Sequence, residues 1–446
     1  MMVRHCPALF VSAPASGQGK TMVTAALARF HSARGRRVRV FKVGPDFLDP
    51  TILGCSVGAP VYQLDGWMGG EAHCRRLLYE AAERADLILL EGVMGLHDGA
   101  PSNAELAHSL GVPVVAVIDG EAMAQTFGAV ALGLATYRPE VPWYGVLGNR
   151  VASDRHAQLL REGMPSGMRF LGALPREDEC ELPDRHLGLV QAEEVEDLDE
   201  RLTRAAALID ATALAALPPA IEFPAVERAA LTPLLEGVRI GIARDRAFSF
   251  IYQANIDLLE ALGARLEFFS PLTDSMLPPV DSVYLPGGYP ELHLDALTAN
   301  RAFAASLLRH AQADKPLYAE CGGLLYLLES VTDMRGRRAI MSGILPGNAL
   351  MHARLKGLGY QSAPMPGGVL RGHTFHHSTI ETTLPPAAHA ERRQDGAPGE
   401  AIYVQRRVVA SYFHAYFPSN PIAAARLFQP RPAARSEEDA PAPSAA

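Results

Sequence analysis

Ser16-Gly17-Gln18-Gly19-Lys20-Thr21 sets an amine and a hydroxyl directly after two spaced glycines. Glycines let backbone N–H groups close on phosphate oxygens, and a helix opening at this point adds partial positive charge. In that setting Gly17 and Gly19 shape the turn, Lys20 bridges β- and γ-phosphates, and the Thr21 hydroxyl ligates Mg2+. Pro14 stands where the usual pattern has its first glycine, while the Gly-Lys-Thr core is intact. Two acidic loops add hard oxygens: Lys42-Val43-Gly44-Pro45-Asp46-Phe47-Leu48-Asp49-Pro50 and Glu91-Gly92-Val93-Met94-Gly95-Leu96-His97-Asp98-Gly99. Mg2+ takes one or two carboxylates plus phosphate oxygens. Thr21, Asp46 and Glu91 are therefore the expected metal set, and ATP with Mg2+ the expected cofactors. Asp49 and Asp98 join Asp46 as acids expected to orient the reacting group.

A second set lies far along the chain. Tyr318-Ala319-Glu320-Cys321-Gly322-Gly323-Leu324 has the shape of a nucleophile elbow, with cysteine at a strand-to-helix turn. A helix N-terminus there is expected to lower the thiol pKa. His414 ends the apolar run from Val408 and is the expected general base for Cys321. Backbone N–H groups of Gly288, in the loop Leu285–Glu291, and of Gly322 are the expected oxyanion hole. Alone, each cysteine or histidine would read as a buried packing residue; three such loops in this order argue for chemistry.

The elements that must hold these loops are short apolar runs that end in them. Ala8–Val11, Val38–Val43, Leu87–Leu90, Val114–Ile118 and Trp143–Leu147 read as buried strands, and Met22–Arg34 as a helix with Val23, Leu27 and Phe30 on one face. Such alternation predicts an α/β, doubly wound domain whose site lies at the carboxyl ends of its strands. Ala122–Tyr137 reads as a buried helix. A second α/β series follows: Val238–Ala243, helix Ile251–Gly263, Arg265–Phe269, Ser282–Leu285, helix Arg301–Gln312 and Leu317–Ala319. The expected organisation is 1–210 as an ATP-binding domain, 211–235 as a Pro/Ala-rich linker, 236–430 as the cysteine-bearing domain, and 431–446 as a disordered tail.

Composition narrows the function classes. The 446 residues are 48% hydrophobic and 20% charged, with a formal net charge of −8, which favours neither nucleic acid nor an anionic membrane. Cys6, Cys55, Cys74, Cys180 and Cys321 form no CxxC pair, which argues against a disulfide framework or zinc ribbon and fits a reducing cytoplasm. Met1–Phe10 is too short an apolar lead for a signal peptide, and no run reaches the length of a membrane span. The oligomeric state is open, a homodimer included. Arg371-Gly372-His373-Thr374-Phe375-His376-His377 has no matched acid or cysteine and reads as carboxylate recognition or packing rather than a metal site.

The blocks Phe41–Pro50, Glu91–Gly99, Gly148–His156, Leu182–Val190, Arg244–Phe250, Arg371–Ser378 and Ser411–Phe417 resemble the cobyrinic acid a,c-diamide synthase family over nearly the whole chain. The resemblance implies a P-loop, dethiobiotin-synthetase-like ATPase domain joined to a class I glutamine amidotransferase domain. It implies phosphorylation of the a- and c-acetates of a corrinoid tetrapyrrole, with ammonia from L-glutamine displacing phosphate. It also implies that Asn149 contacts adenine. Class I amidotransferases carry a glutamate two residues after the histidine; here that position is Tyr416, so a Cys–His dyad is expected and nothing identifies what orients His414. Arg185 and His186 are equally suited to an anionic side chain or to capping a loop. Cobyrinic and hydrogenobyrinic acids are the leading substrates, with nickel sirohydrochlorin as runner-up; the acidic loops disfavour cobyric acid synthase. A partitioning-type P-loop ATPase is the competing class, but the loop lacks that group's early lysine and such proteins need no Cys/His domain.

Overall fold

The computed structural model describes residues 2–182, 191–227 and 230–431. Arg185 and His186, and the tail beyond Arg431, lie outside the described residues. The first sheet runs, edge to edge, Tyr62–Leu64, Val38–Val43, Leu87–Glu91, Val3–Ser12, Val114–Asp119, Trp143–Val151 and Phe170–Pro175, all parallel. Its strands are apolar on both faces because helices cover both, leaving Leu87–Leu90 and Val114–Ile118 fully buried. Chain order reverses on either side of Val3–Ser12, so the loops after this strand and its neighbours open into one crevice.

Each expected strand is present, several extended by a few residues. The expected linker is not an open connection. Thr212 caps a short turn, Leu214 is buried, and Ala220–Pro224 pairs antiparallel with Val3–Pro7. The chain thus returns to the first sheet before it crosses. The helix expected to be buried, Thr126–Thr136, lies at the surface: Phe127, Gly128 and Ala131 face inward while Leu132 is 42% exposed. A one-sided stripe suffices to pack it, and its small residues made the whole run look internal.

The second sheet is mixed, ordered Arg265–Phe269, Arg239–Ala243, Ser282–Leu285, Leu317–Glu320, Val408–Ser411, Pro398–Gln405, Ala388–Arg392, Gly357–Met365, Gly368–His376 and His414–Tyr416. The run expected as one strand ending in His414 is two. Val408–Ser411 pairs with Leu317–Glu320, whereas His414–Tyr416 pairs with Arg371–His373. The break at Tyr412–Phe413 carries His414 off the ladder and into the domain junction.

Candidate active site

The helix Lys20–Ser32 starts from Gly19, at φ 84°, with no side chain capping its first amides. Those N–H groups stay available for phosphate. A Cβ on Gly19 would meet Asn149 Nδ2 at 2.4 Å, so both the backbone angle and the space demand glycine. Asn149 Nδ2 donates to Gln18 O at 3.0 Å, and Arg150 Nη1 donates to Gly17 O at 2.8 Å. Asn149 and Arg150 line, with Gly17, Gly19, Lys20, Thr21, Asp46, Asp49 and Glu91, one cavity of about 560 Å³.

Inside it the acids converge on a lysine that the sequence reading passed over. Lys42 Nζ donates to Asp49 Oδ2 at 2.6 Å and Glu91 Oε1 at 2.7 Å, and lies 3.7 Å from Asp46 Oδ2. Burial opposes charge on Lys42, but Glu91, Asp49 and Asp46 outweigh it and raise its pKa. Burial, with Asp49 beside it, raises Asp46. Asp49 moves the other way: Lys42 overcomes its burial and holds it ionised. Thr21 Oγ1 donates to Glu91 Oε1 at 2.8 Å, and the buried Glu91 Oε2 has no hydrogen-bond partner among the described residues. Lys20 Nζ is held by Ala15 O at 3.0 Å and Met94 O at 2.6 Å. Asp98 does not line the cavity. Its Oδ2 accepts the Gly95 N–H at 2.9 Å and fastens the loop that offers Met94 O to Lys20.

The second constellation is built around Cys321, which sits at φ 45°, ψ −105° between Leu317–Glu320 and the helix Gly322–Leu327. A non-glycine residue at this angle is strained and marks a tight elbow. Its N–H is fixed by Ser411 O at 2.8 Å. Gly322 packs on the Gly287-Gly288 loop, where a Cβ would meet Gly288 N at 2.9 Å; a Cβ on Gly287 would meet His414 Cε1 at 2.4 Å. The cysteine turn, the glycine loop and His414 are thereby brought together. The expected low thiol pKa is not found: burial pushes the Cys321 thiol up, Glu291, Glu400 and Glu320 add to this, and the Gly322 N–H opposes it only in part. The helix is six residues long, too short for its dipole to outweigh desolvation. Burial, with His373 and His376 nearby, lowers His414. The resting pair is therefore thiol and neutral imidazole.

Phe47 joins the two constellations. It follows Asp46 directly, and its ring centroid lies 5.1 Å from Phe250, 4.4 Å from Tyr252, 5.5 Å from His373 and 5.1 Å from His414. Beside it, Tyr62 donates to Asp257, His73 Nε2 meets the Tyr416 hydroxyl, and Tyr360 donates to Asp65 across the same junction. Two guanidiniums lie beside Trp67. Arg371 and Arg393 lie 5.6 and 5.4 Å from the Trp67 ring, hold only the Trp67 and Ala100 carbonyls, and have no carboxylate partner among the described residues.

Residues 9–190 match the CobQ/CobB/MinD/ParA nucleotide binding domain, and residues 239–422 the CobB/CobQ-like glutamine amidotransferase domain. The chain is 60% identical to the hydrogenobyrinate a,c-diamide synthase of Stutzerimonas stutzeri, over 96% of this chain and 100% of that protein. It is 59% identical to the hydrogenobyrinate a,c-diamide synthase of Pseudomonas aeruginosa, over 96% and 99%. It is 48% identical to the cobyrinate a,c-diamide synthase of Herminiimonas arsenicoxydans, over 95% and 96%.

Proposed function

Since this chain belongs to the cobyrinate and hydrogenobyrinate a,c-diamide synthase family, glutamine-hydrolysing ligases of cobalamin biosynthesis, we propose that it amidates the a- and c-acetates of hydrogenobyrinic acid. The two relatives at 60% and 59% identity favour this macrocycle over cobyrinic acid. A partitioning-type ATPase would have no use for the amidotransferase domain.

The observation that carries the reading is Phe47, one ring that borders both the acid cluster and His414. Ammonia released at Cys321 then emerges beside the carboxylate to be amidated. ATP fills the cavity with its phosphates on Gly17–Thr21. Thr21, Asp46 and Glu91 present only hard oxygens, and Glu91 Oε2 has no hydrogen-bond partner among the described residues, which supports these three as the residues that would hold Mg2+. Mg2+ supplies charge neutralisation for the triphosphate. Lys20 leaves its two carbonyls for the transferring phosphoryl group, and Lys42 keeps Asp49 ionised beside it. The substrate carboxylate oxygen attacks the γ-phosphorus and ADP departs. Ammonia then adds to the acyl phosphate, loses a proton and expels phosphate. Arg371, Arg393 and Trp67 offer charge and an aromatic face to a flat polycarboxylate.

Purified protein with ATP, Mg2+ and glutamine, offered hydrogenobyrinate and cobyrinate in parallel, tests this. Diamide should form from hydrogenobyrinate with the higher kcat/KM. Cys321→Ala should lose glutamine-driven synthesis and keep synthesis driven by an ammonium salt at mildly alkaline pH. No diamide from either macrocycle, or wild-type rates in Lys20→Ala, overturns the reading.

A further inference from the structure

A histidine that takes the proton of a thiol at one ring nitrogen must carry a hydrogen at the other. It works best when that second nitrogen faces an acceptor, preferably an anion, because the imidazolium formed in the reaction is then stabilised. His414 lacks the acceptor usually found two residues later, since Tyr416 occupies that position. Its Nδ1 is buried and makes no hydrogen bond in the described residues. The nearest carboxylate comes from the other strand. Glu320 Oε2 lies 3.9 Å from His414 Nδ1, and both side chains are 1% exposed.

Burial raises the Glu320 pKa to about 8, and the groups that bond it favour the ionised form in part. Its Oε1 accepts the Ala415 N–H at 2.9 Å, and its Oε2 accepts the Tyr284 hydroxyl at 2.8 Å. These bonds aim the carboxylate at the backbone of the residue after His414 and leave Oε2 a second lone pair on the imidazole side. The strand register explains the placement: Glu320 pairs with Ser411, three residues before His414, while the break at Tyr412–Phe413 folds His414 back towards it. Of the other carboxylates near Cys321, Glu400 is engaged by His376 Nε2 and Thr374 Oγ1, both at 3.0 Å.

We propose that Glu320, the residue immediately before the nucleophile, is the positioning acid of the Cys321–His414 pair and replaces the missing third member. It fixes the Nδ1–H tautomer of His414 and holds the imidazolium that forms when the thiol proton moves to Nε2. The 3.9 Å separation is one that closes when glutamine fills the site, as catalytic hydrogen bonds tighten on substrate binding. The same proton returns to the departing ammonia, so Glu320 exchanges none. This rests on the reading of Cys321 and His414 as the glutaminase pair.

The test is Glu320→Gln, which keeps an oxygen for the Ala415 N–H and replaces the acceptor facing His414 Nδ1 with an uncharged amide donor. Glutamine hydrolysis should fall in kcat by on the order of 100-fold or more, with KM for glutamine little changed. Ammonium-driven diamide synthesis by the same preparation should stay near wild type. In a His414→Ala background, Glu320→Gln should cost nothing further, because a residue that acts through His414 has nothing left to position. Wild-type glutaminase activity in Glu320→Gln overturns the proposal. So does an equal loss of ammonium-driven synthesis, or losses that multiply in the double variant, since either makes Glu320 a strut. Cys321→Ala serves as the reference: if it still hydrolyses glutamine, the glutaminase reading itself fails, whatever Glu320 does.

Discussion

Lys42 shows how one side chain sets the state of several others. Its ammonium is the countercharge for Asp46 in a loop, Asp49 at the start of a helix and Glu91 at a strand end. Lys42→Met would leave the buried Glu91 and the half-buried Asp46 and Asp49 without a countercharge, and breaking such a group costs about 3–5 kcal/mol. Urea unfolding should report that loss, and saturating Mg2+ with nucleotide should recover part of it by binding only the folded state. An unchanged midpoint without ligand would show that water or relaxation neutralises the acids instead. Neither Lys42 nor Glu320 stands out in the sequence, although each sits inside a segment read for other residues. Their roles come from partners on different strands, which spacing along one strand cannot reveal. Lys20 and Cys321 were legible because the glycines around them state a local backbone geometry.

At the scale of elements, the loop from Lys42 to the helix Asp49–Val57 does two jobs within a few residues. Asp46 turns its Oδ1 to the Leu48 and Asp49 N–H groups, which caps the loop, and Phe47 then points across to the other domain. Phe47→Ala should leave glutamine hydrolysis running while diamide yield falls, so that more than one glutamine is consumed per amide formed. Measuring glutamate and amide together checks this; a ratio that stays at the wild-type value would mean the ring does not bound the ammonia route. The parallel strands that end in the site loops were readable because buried parallel strands are continuous apolar runs, whereas the antiparallel strands Gly357–Met365, Gly368–His376, Ala388–Arg392 and Pro398–Gln405 were not. The split between Val408–Ser411 and His414–Tyr416 was not, because an apolar run looks the same whether it keeps its ladder partner or changes it. Ala220–Pro224 was hidden by proline and alanine, tolerated because this strand lies off the main path of the sheet.

Over the whole molecule, several histidines are held neutral by burial. His31 is lowered to about 4, first by burial and then by Arg36; His73 to about 4, by burial and Arg76; and His373 to about 3, by burial alone. A histidine whose folded pKa is depressed binds its proton more readily when unfolded. Its contribution to stability is therefore complete above the unfolded value of 6.5 and is lost as pH falls through that value towards the folded one. Thermal unfolding between pH 7 and 4 should show a steadily falling midpoint, and His31→Gln should flatten part of that fall; a midpoint independent of pH across this window would contradict these assignments. The return of Ala220–Pro224 to the first sheet carries a consequence for how such a chain can be encoded. The next strand begins only at Arg239, so a break after Val226 would sever no helix or strand of the described residues. Two shorter genes, one ending there, would each specify a complete set of strands. The products would meet again through Phe47, Tyr62, His73 and Tyr360, which makes fusion and fission of the two halves small evolutionary steps on this architecture.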